Sequence, residues 1–137
     1  MKVKDAMTTN VRLARPDQTI AEAARTMAEC DAGALPVGDD DRLVGMLTDR
    51  DIAIRATAEG SDPTTTPVGE VYTRDITALA PMDTVTDAMQ LMRAGDIRRL
   101  PVVESGKALG IVSLGDVSIE TTPGSVLADI STASPDR

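Results

Sequence analysis

The strongest constraint in this sequence is an internal repeat at a spacing of 65 residues. The register runs without a gap and aligns Val3–Ile52 with Val68–Val117. A register that holds over so long a stretch indicates a duplicated unit, so we expect two halves with the same fold. The paired positions include Leu35-Pro36-Val37 with Leu100-Pro101-Val102, Gly45 with Gly110, and Asp51 with Asp116.

Each copy predicts the same order of elements, β-α-β-β-α, after a short helical lead-in. Alternating apolar residues predict strands, and apolar residues three and four apart predict helices. In the first copy these are a lead-in at Val3–Met7, strands at Asn10–Ala14, Ala34–Val37 and Leu43–Leu47, and helices beginning at Thr19 and Asp49. In the second copy they are a lead-in at Val68–Tyr72, strands at Ile76–Leu79, Leu100–Val103 and Leu109–Val112, and helices beginning at Thr84 and after Ser113.

These elements predict an α+β fold in which two pseudo-twofold-related repeats pack sheet to sheet. A repeat of about 50 residues is marginal alone, so each is expected to bury its apolar strands against the other. The predicted segments are a first repeat at residues 1–58, a linker at 59–67, a second repeat at 68–120 and a C-terminal tail at 121–137. In the tail, Val126, Leu127 and Ile130 predict one docked turn, and Ser131–Arg137 predicts a disordered end.

Composition excludes several kinds of function. The chain has no histidine, so Ser-His catalysis and histidine-metal chemistry are unavailable. A single cysteine, Cys30, predicts a core residue in a protein of the reducing cytoplasm. The formal net charge of −8 argues against a nucleic-acid partner. No apolar run is long enough to span a membrane, and Met1–Asp5 lacks the apolar stretch of a signal peptide.

The spacing Thr48-x-x-Asp51 allows two interpretations, which the residues alone leave open. It is typical of a capping box, in which both side chains bond to backbone N–H groups of the first helical turn. The same pattern occurs at Thr19-x-x-Glu22 and Thr84-x-x-Asp87. Alternatively, the free N–H groups and dipole of a helix N-terminus suit a phosphate, and the carboxylate could hold both ribose hydroxyls.

Two longer segments carry a resemblance to a known family. They are Gly45-Met46-Leu47-Thr48-Asp49-Arg50-Asp51 and Gly110-Ile111-Val112-Ser113-Leu114-Gly115-Asp116, each following a Leu-Pro-Val triplet. The repeat resembles the CBS domain, and residues 3–120 are similar to the tandem CBS pair, or Bateman module, of small stand-alone bacterial proteins.

The resemblance implies a regulatory module without catalytic activity. Such a module would sense AMP, ADP or ATP in the cleft between its repeats and signal by a conformational change. No obligatory cofactor or metal is implied. The fold does not choose the ligand. S-adenosylmethionine or NADH, or a structural or partner-binding dimer that has lost its ligand, therefore remain alternatives.

The resemblance also implies roles for individual residues. At the first site, a hydroxyl and a carboxylate hold phosphate and ribose, arginines face the phosphates, and an aliphatic wall contacts adenine. The implied residues are Thr48, Asp51, Arg50, Arg98, Arg99, Met46, Ile76 and Thr77. Ser113 and Asp116 form a second, weaker site, because Gly33 and Ala34 stand where the second repeat has Arg98 and Arg99. The alternative for the arginines is a solvated surface role.

The resemblance implies a homodimer formed through helices, and a regulated partner protein that the sequence does not identify. Small and flexible side chains on the two long helices are the predicted dimer contacts. They are Ala23, Ala24, Met27, Ala88, Met89 and Met92. The acidic run Asp39-Asp40-Asp41 predicts a solvated hairpin turn rather than a cation site.

Overall fold

The computed structural model describes the backbone of residues 1–121 and the side chains of residues 1–117. The chain forms two compact units. One consists of Arg12–Ile76, and the other combines Met1–Val11 with the described residues from Thr77 onward. Each holds one two-stranded sheet with helices, which confirms the predicted α+β class. The turn predicted at Val126, Leu127 and Ile130 and the end predicted at Ser131–Arg137 lie outside the described residues.

The predicted helices and hairpins are confirmed in both units. The helices are α1 (Val3–Ala6), α2 (Ile20–Cys30), α3 (Asp49–Asp51), α4 (Val85–Gly95) and α5 (Leu114–Thr121). A π-helix at Ile52–Thr57 continues α3, and a 3₁₀-helix covers Val68–Glu70. The strands are β1 (Ala34–Asp39), β2 (Arg42–Thr48), β3 (Arg99–Glu104) and β4 (Lys107–Ser113).

The two long helices begin and end at equivalent residues. Thr84 and Asp87 form the predicted capping box at α4, and the bonds from the backbone and hydroxyl of Thr84 lower the pKa of Asp87. At α2 the hydroxyl of Thr19 accepts a hydrogen bond from the backbone N–H of Glu22 at 3.2 Å. Both helices end at a left-handed aspartate, Asp31 or Asp96, each with φ 52°. This conformation terminates a helix, and aspartate tolerates it better than most residues.

Each sheet is an antiparallel hairpin, β1 with β2 and β3 with β4. The first hairpin turns at Asp40 and Asp41, with φ 50° and 67°, and the second at Ser105 and Gly106, with φ 54° and 81°. Two consecutive positive φ angles in a two-residue turn are typical of type I′, which favours glycine at the second position. The predicted acidic turn is confirmed, and it places two aspartates where the backbone is left-handed.

Asp41→Gly is expected to stabilise the protein by about 0.5–1 kcal/mol, because glycine adopts a positive φ without steric cost. The reciprocal change, Gly106→Asp in the other hairpin, is expected to destabilise it by a similar amount. Urea unfolding followed by circular dichroism measures both changes. Equal effects of the same sign would contradict the backbone explanation.

The strands predicted at Asn10–Ala14 and Ile76–Leu79 are wrong as strands. Each segment makes a single parallel bridge, Ala14 to Val37 and Leu79 to Val102. In the first, Ala14 is fully buried whereas Leu13 is 38% exposed, so the apolar alternation does not extend a buried face. The chain then turns at once, as the N–H of Gln18 donates to the carbonyl of Arg15. Pairing therefore stops after one residue.

On the other edge, each hairpin pairs with the residue that directly follows the lead-in of the other sequence repeat. Thr73 bridges Met46 of β2 through two backbone hydrogen bonds of 2.8 and 2.9 Å. Thr8 bridges Ile111 of β4 in the same way, at 2.8 and 3.1 Å. The compact units therefore do not coincide with the sequence repeats, since the two lead-ins are exchanged. The segment at residues 59–67 lies within one unit, where the carbonyl of Thr66 accepts from the first N–H of α2.

Each unit has its own aliphatic core. The cores include Ile20, Leu35, Val37, Leu47 and Val68 in one unit, and Val3, Leu79, Leu100, Val102 and Val112 in the other. Four predicted dimer contacts, Ala23, Met27, Ala88 and Met92, are buried in these cores, so that part of the prediction is wrong. Ala24 and Met89 are half-buried. Cys30 is exposed rather than in the core, because it lies at the solvated end of α2.

Candidate functional site

The first hydroxyl–carboxylate pair forms a complete capping box where β2 meets α3. The backbone N–H of Asp51 donates to Oγ1 of Thr48 at 3.0 Å. In return, the backbone N–H of Thr48 donates to Oδ2 of Asp51, also at 3.0 Å. The structural interpretation of Thr48-x-x-Asp51 is therefore confirmed. The predicted role of this pair toward a nucleotide stays a prediction. It is compatible with the cap, because a capping carboxylate retains lone pairs for a further donor.

Two residues that the sequence did not single out complete the surroundings of Asp51. The hydroxyl of Thr73 lies 3.2 Å from Oδ1 and 3.4 Å from Oδ2, and Nε of Arg55 lies 3.7 Å from Oδ1. The Asp51 residue is only 8% exposed. A carboxylate buried to this extent needs donors, and these groups supply them. The i, i+4 spacing of Asp51 and Arg55 was a visible signal for one of them.

The backbone donors of the first turn of α3 are already occupied. The N–H of Asp49 donates to the carbonyl of Gly33 at 2.9 Å, and the N–H of Arg50 donates to Oδ1 of Asp49 at 2.8 Å. Thr48 takes the N–H of Asp51. The expectation of free N–H groups for a phosphate is therefore wrong at this turn. A phosphate here must displace the side chain of Asp49 or use other donors.

The second pair repeats the capping geometry in the other unit. Ser113 and Asp116 exchange backbone-to-side-chain bonds of 3.0 and 3.1 Å. The N–H of Leu114 donates to the carbonyl of Arg98 at 2.7 Å, and Arg99 lies opposite Ser113 in the β3–β4 register. Both predicted phosphate-binding arginines thus belong to the unit that holds the second pair. That these arginines bind the phosphates of a ligand at Thr48 and Asp51 stays a prediction.

The residues predicted to contact adenine are divided between the units. Met46 and Ile76 belong to the unit of Asp51, whereas Thr77 begins the segment that belongs to the other. Met46 is 7% exposed, Ile76 is half-buried, and Thr77 and Arg50 are exposed. The structure therefore brings Met46, Arg50 and Ile76 into the same unit as the hydroxyl–carboxylate pair.

A separate surface depression of about 420 Å³ lies by the first hairpin. It is lined by Arg15, Pro16, Asp17 and the turn residues Gly38, Asp39 and Asp40. Arg15 and Asp17 form an exposed ion pair of 3.2 Å there. None of the predicted site residues lines this depression.

Family models identify the chain. The CBS domain model matches residues 3–56 and 68–120, and the chain belongs to this family as a CBS pair. The CBS domain-containing protein YhcV of Bacillus subtilis is 47% identical over 133 residues, which cover 94% of each chain. Hypoxic response protein 1 of Mycobacterium tuberculosis is 39% identical over 116 residues, covering 84% of this chain and 81% of the relative.

Solved structures agree with this assignment. A crystal structure of Hypoxic Response Protein I with two coordinated zinc ions matches with a TM-score of 0.79 and 38% identity, covering 86% of this chain and 97% of the other. A CBS-domain protein of Burkholderia ambifaria, provisionally assigned to signal transduction, matches with a TM-score of 0.83, 26% identity and coverage of 90% and 96%. A hexameric CBS-CP12 protein from bloom-forming cyanobacteria matches with a TM-score of 0.78, 28% identity and coverage of 97% and 77%.

The described part of the chain, residues 1–121, has neither a metal-ligand cluster nor a membrane-spanning helix. Among these residues, no three acidic or cysteine side chains are grouped so as to hold a metal ion. Within the same residues, no helix combines the length and apolar character that crossing a bilayer requires.

Proposed function

We propose that this CBS pair is a regulatory module that binds an adenine nucleotide of the AMP, ADP or ATP type and transmits binding as a conformational change. The observation that carries the proposal is the hydroxyl–carboxylate pair, present with the same geometry in both units of a CBS pair. We propose no catalytic activity for the module itself. We also propose that the protein acts in the cytoplasm, because its single cysteine, Cys30, is unpaired, as is typical of a reducing compartment.

The chemistry of the first pair supports a ribose-binding role for Asp51. The carboxylate is nearly buried, so a ligand hydroxyl that reaches it forms a charge-assisted bond with little competition from water. Met46 and Ile76, in the same unit, offer aliphatic surface for a base. Since the chain has no Phe or Trp, base recognition relies on such surface and on backbone hydrogen bonds.

Asp51→Ala is expected to weaken binding of AMP by about tenfold to a hundredfold. The reason is the loss of a hydrogen bond to a charged group, worth roughly 1.5–3 kcal/mol. Isothermal titration calorimetry on folded variants measures the change. Because Asp51 also caps α3, Asp51→Asn serves as a second variant, which retains an acceptor for the N–H of Thr48 while removing the charge.

Two further variants test the rest of the predicted site. Arg98→Ala is expected to weaken the binding of ADP and ATP more than the binding of AMP, since the lost contact is to phosphate. Asp116→Ala is expected to lower the affinity for AMP much less than Asp51→Ala does. The site assignment is wrong if Asp116→Ala costs more affinity than Asp51→Ala. The proposed function is wrong if the wild type binds no adenylate, and a thermal-shift panel with S-adenosylmethionine and NADH then tests the alternative ligands.

We also propose a homodimer in solution. Its support is that a homologous CBS protein assembles as a hexamer, and that Ile54 in the π-helix is 51% exposed. Burial of Ile54 against a second copy would remove apolar surface from water, which favours association. Light scattering is expected to give twice the 14.4 kDa chain mass. Ile54→Glu should shift the protein toward the monomer, and a monomeric wild type at high micromolar concentration would contradict the proposal.

A further inference from the structure

The hydroxyl of Thr73 bridges the two oxygens of the Asp51 carboxylate. It lies 3.2 Å from Oδ1 and 3.4 Å from Oδ2, so its single proton is shared between the two oxygens. Oδ2 also accepts from the N–H of Thr48, and Nε of Arg55 lies 3.7 Å from Oδ1. The edge that Thr73 covers is the one that two neighbouring hydroxyls of a ribose need in order to bond both oxygens at once.

The equivalent position of the other unit lacks this contact. Thr8 aligns with Thr73, and Asp116 with Asp51. Within residues 1–117, whose side chains are described, no hydrogen bond joins the hydroxyl of Thr8 to Asp116. The Thr73 contact is therefore not a necessary part of the repeated fold. Thr8 provides a matched position at which the same substitution changes no bond to the carboxylate.

Thr73 also connects the carboxylate to the segment that leaves the unit. Its backbone pairs with Met46 of β2, and three residues later, at Ile76, the chain ends its part in this unit. The side-chain bond spans 22 residues of sequence and links the start of α3 to this outgoing segment. A change at Asp51 can thus reach the connection to the other unit through one hydroxyl.

We propose that Thr73 is a latch that a bound nucleotide opens. The inference rests on the proposed function, because the ribose hydroxyls compete with the Thr73 hydroxyl for the same edge of Asp51. Binding of the diol releases Thr73, and the segment Thr73–Ile76 loses the side-chain bond that holds it to α3. The ligand thereby favours the state in which the outgoing segment is free, which is a population shift set by differential binding.

Thr73→Val removes the competing hydroxyl at nearly constant volume and is expected to tighten AMP binding by about tenfold. Thr8→Val is the matched control and should leave the affinity within about twofold, as should Thr73→Ser, which restores a hydroxyl. With 2′,3′-dideoxy-AMP, which lacks the diol, Thr73→Val should give no gain. Calorimetric titration of folded variants measures all of these affinities.

Hydrogen exchange gives a second readout that a purely structural role would not move. AMP is expected to speed amide exchange over Thr73–Ile76 in the wild type and to leave it unchanged in Thr73→Val, where the segment is already released. Thr73→Val binding that is unchanged or weaker overturns the latch while leaving the proposed function intact. A wild type that binds no AMP overturns both. An equal gain for Thr8→Val would show that the effect is not the bond to Asp51, and would also overturn the latch.

Discussion

Replacing Gly45 with alanine is expected to lower the free energy of unfolding by about 3 kcal/mol or more, the upper range for overpacking a rigid site. A Cβ at this position would overlap the carbonyl oxygen of Thr73 and lie 2.6 Å from Cδ2 of Tyr72. Neither neighbour can move easily, because Thr73 is backbone-paired to β2 and Tyr72 is buried. Urea unfolding followed by circular dichroism measures the loss.

Gly60→Ala is the control for this substitution. A methyl group added at Gly60 would have no neighbour within 4 Å, but the residue has φ +76°, so alanine there has only the backbone cost of about 1 kcal/mol. The comparison separates steric overlap from the general effect of adding a methyl group to glycine. A Gly45→Ala variant no less stable than Gly60→Ala would show that the lead-in does not cross β2 as described.

Leu47→Ala is the second change with a large expected effect, a loss of about 2–5 kcal/mol. Leu47 is fully buried and lies in β2 opposite Leu35, within the core of its unit. Truncation removes apolar contacts and leaves a cavity that the surrounding strands cannot fill completely. The measurement is again urea unfolding, with the slope compared between variants to test for a change in compactness.

Leu109→Ala makes the same chemical change on the second strand of the other hairpin. Leu109 is 37% exposed, so its truncation is expected to cost about 1 kcal/mol or less. A similar cost at Leu47 and Leu109 would refute the assignment of Leu47 to the core. Together the two variants test which residues of the equivalent strands face inward.

The elements that the sequence predicts well are those whose causes are local. Thr84 and Asp87 are three residues apart, so their mutual bonds follow from a single helical turn. The hairpins follow from two apolar runs joined by a short turn. The strand at Asn10–Ala14 failed because alternation alone does not supply a pairing partner, and only Ala14 meets one.

In the candidate site, too, the contacts that are local in sequence could be predicted and the long-range contacts could not. The capping bonds between Thr48 and Asp51 could be predicted from their spacing. The bond from Thr73 to Asp51 could not, because it crosses 22 residues and depends on the lead-in of the second repeat pairing with β2 of the first. The occupied N–H of Arg50 also escaped prediction, since it depends on the rotamer of its neighbour Asp49.

The exchange of lead-ins has a consequence for how such a protein could arise. A single repeat folded alone would leave the edge of its hairpin, at Met46 or Ile111, without the segment that pairs with it. Two separate copies could each lend the missing segment to the other, as domain-swapped dimers do. Fusing the copies makes that exchange intramolecular and raises the local concentration of the exchanged segment to roughly millimolar. Gene duplication would in this way have turned a concentration-dependent assembly into a fold that one chain completes by itself.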